Sequence, residues 1–387
     1  MLPRVYTPDN ATGTQRTFRG RVNCAEKCFT KSALNGEITL ELTTSVNDST
    51  AGYLRSQRMI EAIVDFRLPP QLFIITKTER LINGKINVYG EHVKSLANQY
   101  ITVGSAVYAD ENENVMENTN PYDVWNALIA EMTTMGLAVP PFTFGSNILT
   151  QADFSLGLTK PETFGDILGG KEGSILDTWR GFYTFNNYEI VYNRDIGIVQ
   201  NFALRYGRNI TDCKQTEEIT NTYTHILPYG TVRDMATETD LTLVGTLTPI
   251  EHSQSNFRKV FLYDCSAKSK KLKVYSNSVG THTAGEGYAE ARTEMSGYAA
   301  SYAQSENLGS ILAGITVTHR SELDEMKRLG LGDTVDIVLD NFGTSTRARI
   351  TETELDVLNE RWQSLTVGER QVTLSDLFIK YDKFIKR

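Results

Sequence analysis

The 387-residue chain has few cysteines and no long apolar run. Its four cysteines are too few and too scattered for a disulfide scaffold, and only Cys24 and Cys28 are close enough to share a helical face or a bend. A zinc site would need a second close pair or added histidines, so reduced cytoplasmic thiols are the simpler interpretation. Apolar runs such as 311–317 are too short to span a bilayer, and no secretory signal follows Met1. We therefore expect no stable membrane insertion.

Basic charge is also scarce. The chain has 39 Lys and Arg against 47 Asp and Glu, a net charge of −8. A protein built to hold nucleic acid carries a basic face, so this balance argues against a stable nucleic-acid complex. The contents of 40% hydrophobic and 22% charged residues are those of a folded protein, and the length exceeds one ordinary core. Two to four domains are expected.

Catalytic and metal-binding motifs are missing too. No histidine lies in H-E-x-x-H, and no serine occupies a G-x-S-x-G elbow. Cys213 and His225 are the only cysteine and histidine close in sequence that could form a hydrolase pair. Residues 110–114 begin like an EF-hand loop, but Val115 replaces the required glycine and Pro121 the bidentate glutamate. We predict no catalytic residues, no cofactor-binding residues and no metal ligands.

The chain does contain the period-two alternation typical of half-buried strands. In the first part, to about residue 97, Ile38, Leu40 and Leu42 alternate with polar residues. Asn83-Gly84 between two apolar runs predicts a hairpin with a two-residue type I′ turn. His92 follows in a predicted capping helix, where a lone histidine is more often structural than a ligand. Further strands are predicted at 59–66, 72–77, 222–229, 241–247, 259–264, 335–338, 346–355 and 362–367.

Helical patterns also occur elsewhere in the chain. Asn120 and Pro121 open a helix with an apolar stripe through residue 132, and Pro161 suits the first turn of another. Residues 287–306 carry apolar residues at near-heptad spacing and are predicted to pack on their own domain rather than on a neighbouring subunit. Residues 373–387 form a short amphipathic pattern with cations near its C-terminal end, which predicts a helix that docks on a protein or lies on a membrane surface.

A stretch from 163 to 230 combines a loop, a helix and strands. Its first piece, GGKEGSILDTW (169–179), predicts a glycine-rich loop, a short helix and an aromatic anchor, Trp179. We expect Trp179 to be buried against the strand Phe182–Phe185. The pieces YEIVYNR (188–194), LRYGRNI (204–210) and YTHILPYG (223–230) alternate as strands do. None of them contains a nucleophile, a base or a metal set, so the stretch is predicted to be a scaffold.

These pieces resemble, in order, the core signature of tail-tip hub proteins of long-tailed (siphophage-like) bacteriophages and prophages. The family is often labelled prophage tail endopeptidase or tail-associated lysin, N-terminal hub region. LNGEITL (34–40) is similar to the family's early strand, and LGDTV (331–335) with LNERW (358–362) to its last barrel strands. The resemblance spans nearly the whole chain.

The resemblance and the periodicities together imply an α+β, mainly β fold. It would consist of two small β-barrel-like domains with an α+β insertion, as in the phage baseplate hub fold. The expected order is a first barrel-like domain at 1–97 and an α+β insertion at 98–205. These are followed by a second barrel-like domain at 206–368, which contains a helix near 287–306. A C-terminal amphipathic helix at 369–387 ends the predicted fold.

For function, the resemblance implies a structural virion protein at the tail tip, made in the host cytoplasm. A homotrimer would close the distal end of the tail tube and open for DNA ejection. Its partners would be its own copies, the distal tail ring protein, the tape-measure protein and tail fibre or receptor-binding proteins, with DNA only in transit.

Two alternatives stay open. One is a tail-associated cell-wall hydrolase, although relatives with that activity carry the lysin as a further C-terminal domain. The other is a host-surface carbohydrate-binding module, which 18 tyrosines would permit.

Overall fold

The computed structural model describes residues 1–102, 116–154, 162–170, 173–205, 208–218, 222–251, 253, 255–305, 308, 312–319, 324–339 and 344–368. The predicted loop at 110–114, the helix start at Pro161 and the C-terminal helix at 373–387 lie outside these ranges. The strands are β1 (Arg4–Pro8), β2 (Arg16–Arg21), β3 (Ala25–Ala33), β4 (Ile38–Ser45), β5 (Met59–Ala62), β6 (Gln71–Arg80), β7 (Lys85–His92), β8 (Ile101–Thr102), β9 (Met116–Thr119), β10 (Thr143–Ser146), β11 (Ala152–Phe154), β12 (Glu162–Thr163), β13 (Phe182–Asn186), β14 (Glu189–Asn193), β15 (Val199–Arg205), β16 (Ile210–Glu218), β17 (His225–Asp234), β18 (Thr239–Val244), β19 (Thr248–Pro249), β20 (Val260–Asp264), β21 (Lys273–Val274), β22 (Leu312–His319), β23 (Thr334–Leu339), β24 (Thr344–Asp356) and β25 (Arg361–Gly368). The helices are α1 (Pro121–Thr134), α2 (Ile175–Trp179), α3 (Ser266–Ser269), α4 (Tyr288–Ser305) and α5 (Asp324–Lys327), with a 3₁₀ helix at Val93–Gln99 and a π-helical turn at Asp166–Gly170.

Thirteen strands of the described chain form one continuous sheet. Its main path runs β16-β22-β25-β24-β3-β4-β7-β6-β5-β1-β2, and β23 connects β15 to β24. The long strand β24 pairs with strands from both the N-terminal and the C-terminal part of the sequence. Its first half pairs with β23. Its second half pairs with β3 on one edge and with β25 on the other. Main-chain hydrogen bonds therefore join strands from the two ends of the sequence.

This architecture confirms a mainly β, α+β chain. The strand path is open at β16 and β2 within the described ranges, so the barrel-like form of the two predicted domains is not confirmed. The strands predicted for one second domain divide between two sheets. β16 and β22–β25 belong to the large sheet, whereas β17–β21 form a separate one. The domain boundaries near residues 97, 205 and 368 stay predictions.

Helix α1 lies where its local signals predict. The side-chain oxygen of Asn120 accepts hydrogen bonds from the backbone nitrogens of Tyr122 and Asp123, at 3.0 and 3.1 Å, which satisfies donors that the first turn leaves free. The apolar stripe of α1 then enters a core shared with α2 and the hairpin β13–β14. Within that core Trp125 stacks on Phe144, with ring centroids 4.7 Å apart.

The separate sheet has five strands, and α4 covers one of its faces. β18 and β19 pair antiparallel with β17, whereas β20 and β21 run parallel to it. β17 buries every second side chain, and Ala291, Met295, Ala299 and Ala303 of α4 pack on that buried face. The helix predicted near 287–306 thus packs on a sheet of its own chain, whereas the barrel predicted around it is not confirmed.

The β6–β7 hairpin is confirmed, but its turn is not the predicted type I′. Leu81 N donates to Lys85 O at 2.8 Å and Gly84 N donates to Leu81 O at 3.1 Å, so four residues connect the strands. Only Gly84 has a positive φ in this turn, +79°, whereas type I′ requires two such residues. The side chain of Asn83 instead accepts a hydrogen bond from Lys85 N at 3.2 Å, which holds the turn in its observed form.

Candidate interaction surfaces

Residues with catalytic or ligating side chains are dispersed. No group of three or more His, Cys, Asp or Glu in the described ranges could hold a metal ion. Cys24 is exposed in the turn before β3, whereas Cys28 is buried within that strand, so the two share neither a helical face nor a bend. Burial raises the pKa of the Cys28 thiol, which opposes thiolate chemistry. Cys213 lies in β16 and His225 in β17, which belong to different sheets. No described helix has the length and hydropathy to cross a membrane.

His92 has a structural role, as predicted. It is buried directly before the 3₁₀ helix, and its Nδ1 accepts a hydrogen bond from Lys94 N at 3.2 Å. Its Nε2 lies 3.1 Å from Gln71 Oε1, the atom that also accepts from Asn187 N at 2.6 Å. The imidazole therefore belongs to a polar network that joins β6 to the β13–β14 hairpin.

Trp179 is half-buried, and its predicted packing partner is wrong. Its ring stacks on Phe154 of β11 with centroids 5.5 Å apart, and its Nε1 donates to Thr150 O at 2.9 Å. The hairpin side of α2 is occupied by Tyr192. That hydroxyl accepts from Gly181 N at 2.7 Å and donates to Ile175 O at 3.3 Å. Tyr192 therefore connects α2 to the start of β13, the position predicted for Trp179.

The β2 end of the large sheet carries a basic surface. Phe18 is 52% exposed on β2 and lies against Tyr6 of β1, with ring centroids 5.6 Å apart. Arg4 of β1 forms a salt bridge with Glu61 at 3.0 Å. Among the described residues, no other arginine of the β1–β2 hairpin pairs with a carboxylate. A shallow depression of about 550 Å³ opens beside these side chains. The hairpin contains four arginines: Arg4, Arg16, Arg19 and Arg21.

The basic hairpin stands out against the acidic chain. The first 97 residues carry 13 Lys and Arg and 9 Asp and Glu, a net charge of +4, although the whole chain has a net charge of −8. The overall charge balance conceals this asymmetry. The available signal was RTFRGR (16–21), which places three arginines within six residues.

Three solved structures with a similar arrangement are tail proteins. The prophage tail protein gp18 from Listeria monocytogenes EGD-e matches with a TM-score of 0.54 at 10% identity, over 100% of both chains. A tail protein from Neisseria meningitidis MC58 matches with a TM-score of 0.54 at 10% identity, over 97% of this chain and 99% of that one. The 43 kDa tail protein of prophage MuSo2 from Shewanella oneidensis gives the same score and identity, over 97% and 100%. This chain has the phage tail-protein fold.

The match covers the whole length of the chain, so the resemblance to tail proteins is confirmed for the fold. No family model matches the sequence, and no curated protein matches it. At 10% identity, the tail-protein fold is recognisable through its strand arrangement rather than through shared residues. Surfaces of this tail-protein fold, including the basic β2 hairpin, therefore have to be interpreted from this chain's own side chains.

Proposed function

We propose that the protein is a structural component of a phage tail tip, and that it forms a homotrimeric hub. The hub closes the distal end of the tail tube and opens for DNA ejection. The observation that carries the proposal is the full-length match in fold to a prophage tail protein, over 100% of both chains. The proposal assigns the chain no catalysis, since assembly requires interfaces rather than a reactive centre.

The open large sheet is consistent with assembly into a ring. Within the described ranges its main path ends at β2 on one side and at β16 on the other, and the outer edge of a terminal strand can form a further contact. Contacts between unlike surfaces of identical chains close into cyclic rings when the rotation permits. Three chains joined through such contacts would place three copies of the large sheet around one axis.

The proposed location supplies the proposed partners. A hub at the tail tip contacts the distal tail ring protein on one side. On its other sides it meets the tape-measure protein and tail fibre or receptor-binding proteins. DNA crosses the hub only in transit. The chain's acidic balance suits that role, because a conduit with a net negative charge does not retain phosphate.

Mass and shape test the proposal together. Three 43.3-kDa chains give an assembly of about 130 kDa by light scattering, and negative-stain images should show a threefold ring. Antibody-gold labelling should place the protein at the distal end of tails in purified virions. A stable monomer at micromolar concentration, with no ring in virions, would overturn it.

Incubation with purified cell wall separates the proposal from its two alternatives. A structural hub leaves the wall uncut and is washed off it. Release of wall fragments would identify a hydrolase, and retention without cleavage would identify a carbohydrate-binding module. Either positive result, in a preparation that forms no ring, would replace the structural role.

A further inference from the structure

The five-stranded sheet has an apolar patch on the side opposite α4, beside the polar residues Thr231, Arg233, Thr242 and Asp240 of the same side. Val244 is 49% exposed on β18, and Leu262 is 64% exposed on β20. The strand register places Tyr229 opposite Val244 and Leu227 opposite Leu262, so these side chains project from the same side. The outer face, as we call it, consists of Leu227, Tyr229, Val244, Val260 and Leu262.

The composition of β20 indicates that both sides of this strand are built for burial. Phe261 and Tyr263 point toward α4, where both stack on Tyr302 with ring centroids 5.8 and 4.4 Å apart. Val260 and Leu262 alternate with them and therefore point outward. Strands with one solvated face normally carry polar residues on it, whereas apolar residues on both faces are typical of sheets covered on both sides.

The segment 369–387 follows directly on Gly368, at the end of strand β25 of the large sheet. Gly368, the last residue of β25, pairs with Gly314 of β22. Shortly before Gly314 in sequence, Leu308 packs in the core beneath α4, and its carbonyl accepts from Tyr223 N at 2.7 Å. Thr224 N donates to Lys259 O at 2.9 Å, next to the start of β20. The segment thus begins on β25, beside β22, and β22 is the next strand in sequence after α4 of the five-stranded sheet.

The length and pattern of this segment fit that face. Residues 369–373 reach at most about 17 Å when extended, and residues 374–387 as a helix would be about 21 Å long. Their apolar stripe would extend about 15 Å along the helix, and the three strands β18, β17 and β20 are about 10 Å across. Asp264 is exposed at the rim beside Leu262, and its negative charge is complementary to the basic residues of the segment. The stripe consists of Leu374, Leu377, Phe378, Tyr381 and Phe384.

We propose that residues 369–387 dock on the outer face of the same chain as an amphipathic helix. The five-stranded sheet then becomes the middle of a three-layer α/β/α unit, with α4 on one side and the C-terminal helix on the other. Docking removes the exposed apolar side chains of the outer face from water. It also fixes this segment on the module that contains α4.

Photo-crosslinking in the full chain tests the docking. A photoreactive phenylalanine analogue at position 378 should crosslink to peptides that contain Leu227 or Leu262, as identified by mass spectrometry. L262D should lower the crosslink yield roughly fivefold or more, because it places an uncompensated charge beneath an apolar helix. Ile82, fully exposed in the β6–β7 turn, supplies the matched control, and I82D should leave the yield unchanged.

Isotope mixing identifies which chain supplies the helix. With ¹⁵N-labelled and unlabelled protein mixed before assembly, crosslinks should join peptides of the same label. Mixed-label crosslinks, crosslinks to another part of the chain, or an unchanged yield in L262D would each overturn the proposal. L262Q serves as a second variant if melting of L262D shows that it does not fold.

Discussion

Arg67 contacts both carboxylate oxygens of Asp333, a residue 266 positions later, from one guanidinium nitrogen at 3.0 and 3.1 Å. Asp333 is completely buried. Its oxygens also accept from Gln200 Nε2 at 2.7 Å and from the backbone nitrogens of Ile198 and Gly330 at 3.0 and 3.1 Å. One carboxylate thus joins the turn after β5, the start of β15 and the approach to β23.

Replacing Asp333 should therefore destabilise the whole chain. D333A removes the acceptor of several buried donors and of one guanidinium nitrogen of Arg67, whose other nitrogens still bind Asp65. We expect this loss to cost about 3 kcal/mol or more. Urea unfolding followed by circular dichroism measures the change. D336A is the control, because Asp336 lies nearby in sequence in an exposed pair with Arg347 and should change stability little. Equal effects of the two substitutions would contradict the role of the buried carboxylate.

Two of the tryptophans allow a graded test of burial. Trp125 is 5% exposed between Phe144 and Phe164, and W125A should cost about 3–5 kcal/mol as a core truncation. W179A should cost less, about 2 kcal/mol, because Trp179 is half-buried and loses mainly its stacking on Phe154. Unfolding free energies of the two variants decide the order. A larger loss for W179A would show that Trp179 is a core residue after all.

The lowered pKa of His92 predicts that the folded protein loses stability toward acid pH. Burial, and then the nearby charge of Lys94, lower its pKa from the ordinary 6.5 to about 3. The folded pKa is below the unfolded one, so between the two values the unfolded chain binds a proton that the folded chain rejects. Stability contributed by the neutral ring is therefore present above pH 6.5 and is lost as pH falls toward 3. Between pH 6.5 and 5, before most carboxylates titrate, the expected loss is about 1.5 kcal/mol.

Unfolding free energies at pH 7, 6 and 5 measure that slope. H92N retains an acceptor for Lys94 N and removes the titrating ring, so it should flatten the dependence over this interval. Nuclear magnetic resonance of the imidazole gives an independent readout. Titration of His92 near pH 6.5 in the folded protein would show that its ring is not held neutral.

The assembled protein should not bind duplex DNA at physiological salt. Three identical chains carry a net charge of −24, three times −8, which repels DNA at long range. Electrophoretic mobility and fluorescence anisotropy measure binding across a salt series. Micromolar or tighter binding at low salt, with a steep salt dependence, would show that basic residues face the DNA. The triple variant R16A/R19A/R21A would then test whether the β2 hairpin supplies that surface.

Local signals predicted several elements closely. The helix predicted near 287–306 is observed at Tyr288–Ser305, and the Asn120-Pro121 start of α1 is correct to the residue. Capping and the spacing of apolar residues depend only on neighbours in sequence, so they can be interpreted without knowledge of the fold. The same holds for the β6–β7 hairpin, whose existence was predictable although its turn type was not.

The sequence does not show which β-strands pair with one another. Period-two alternation tells which side of a strand is buried, but it does not identify the strand beside it. Nothing local to β3 indicates that it pairs with β24, or that β20 lies parallel to β17 rather than in a second barrel. Trp179 shows the same limit for a single side chain, because Tyr192 of β14 occupies the site predicted for it.

The pairing of β3 with β24, which lie far apart in sequence, has a consequence while the chain is being synthesised. β3 is complete at Ala33, yet it pairs with β24 as far as Asp356, which is translated much later. At the usual rate of about 5–20 residues per second, a ribosome needs roughly 15–65 s to make the chain between them. One edge of β3 stays unpaired throughout that interval. Nascent chains on neighbouring ribosomes of one messenger RNA thus display the same open edge side by side, and slower translation prolongs their exposure to mispairing.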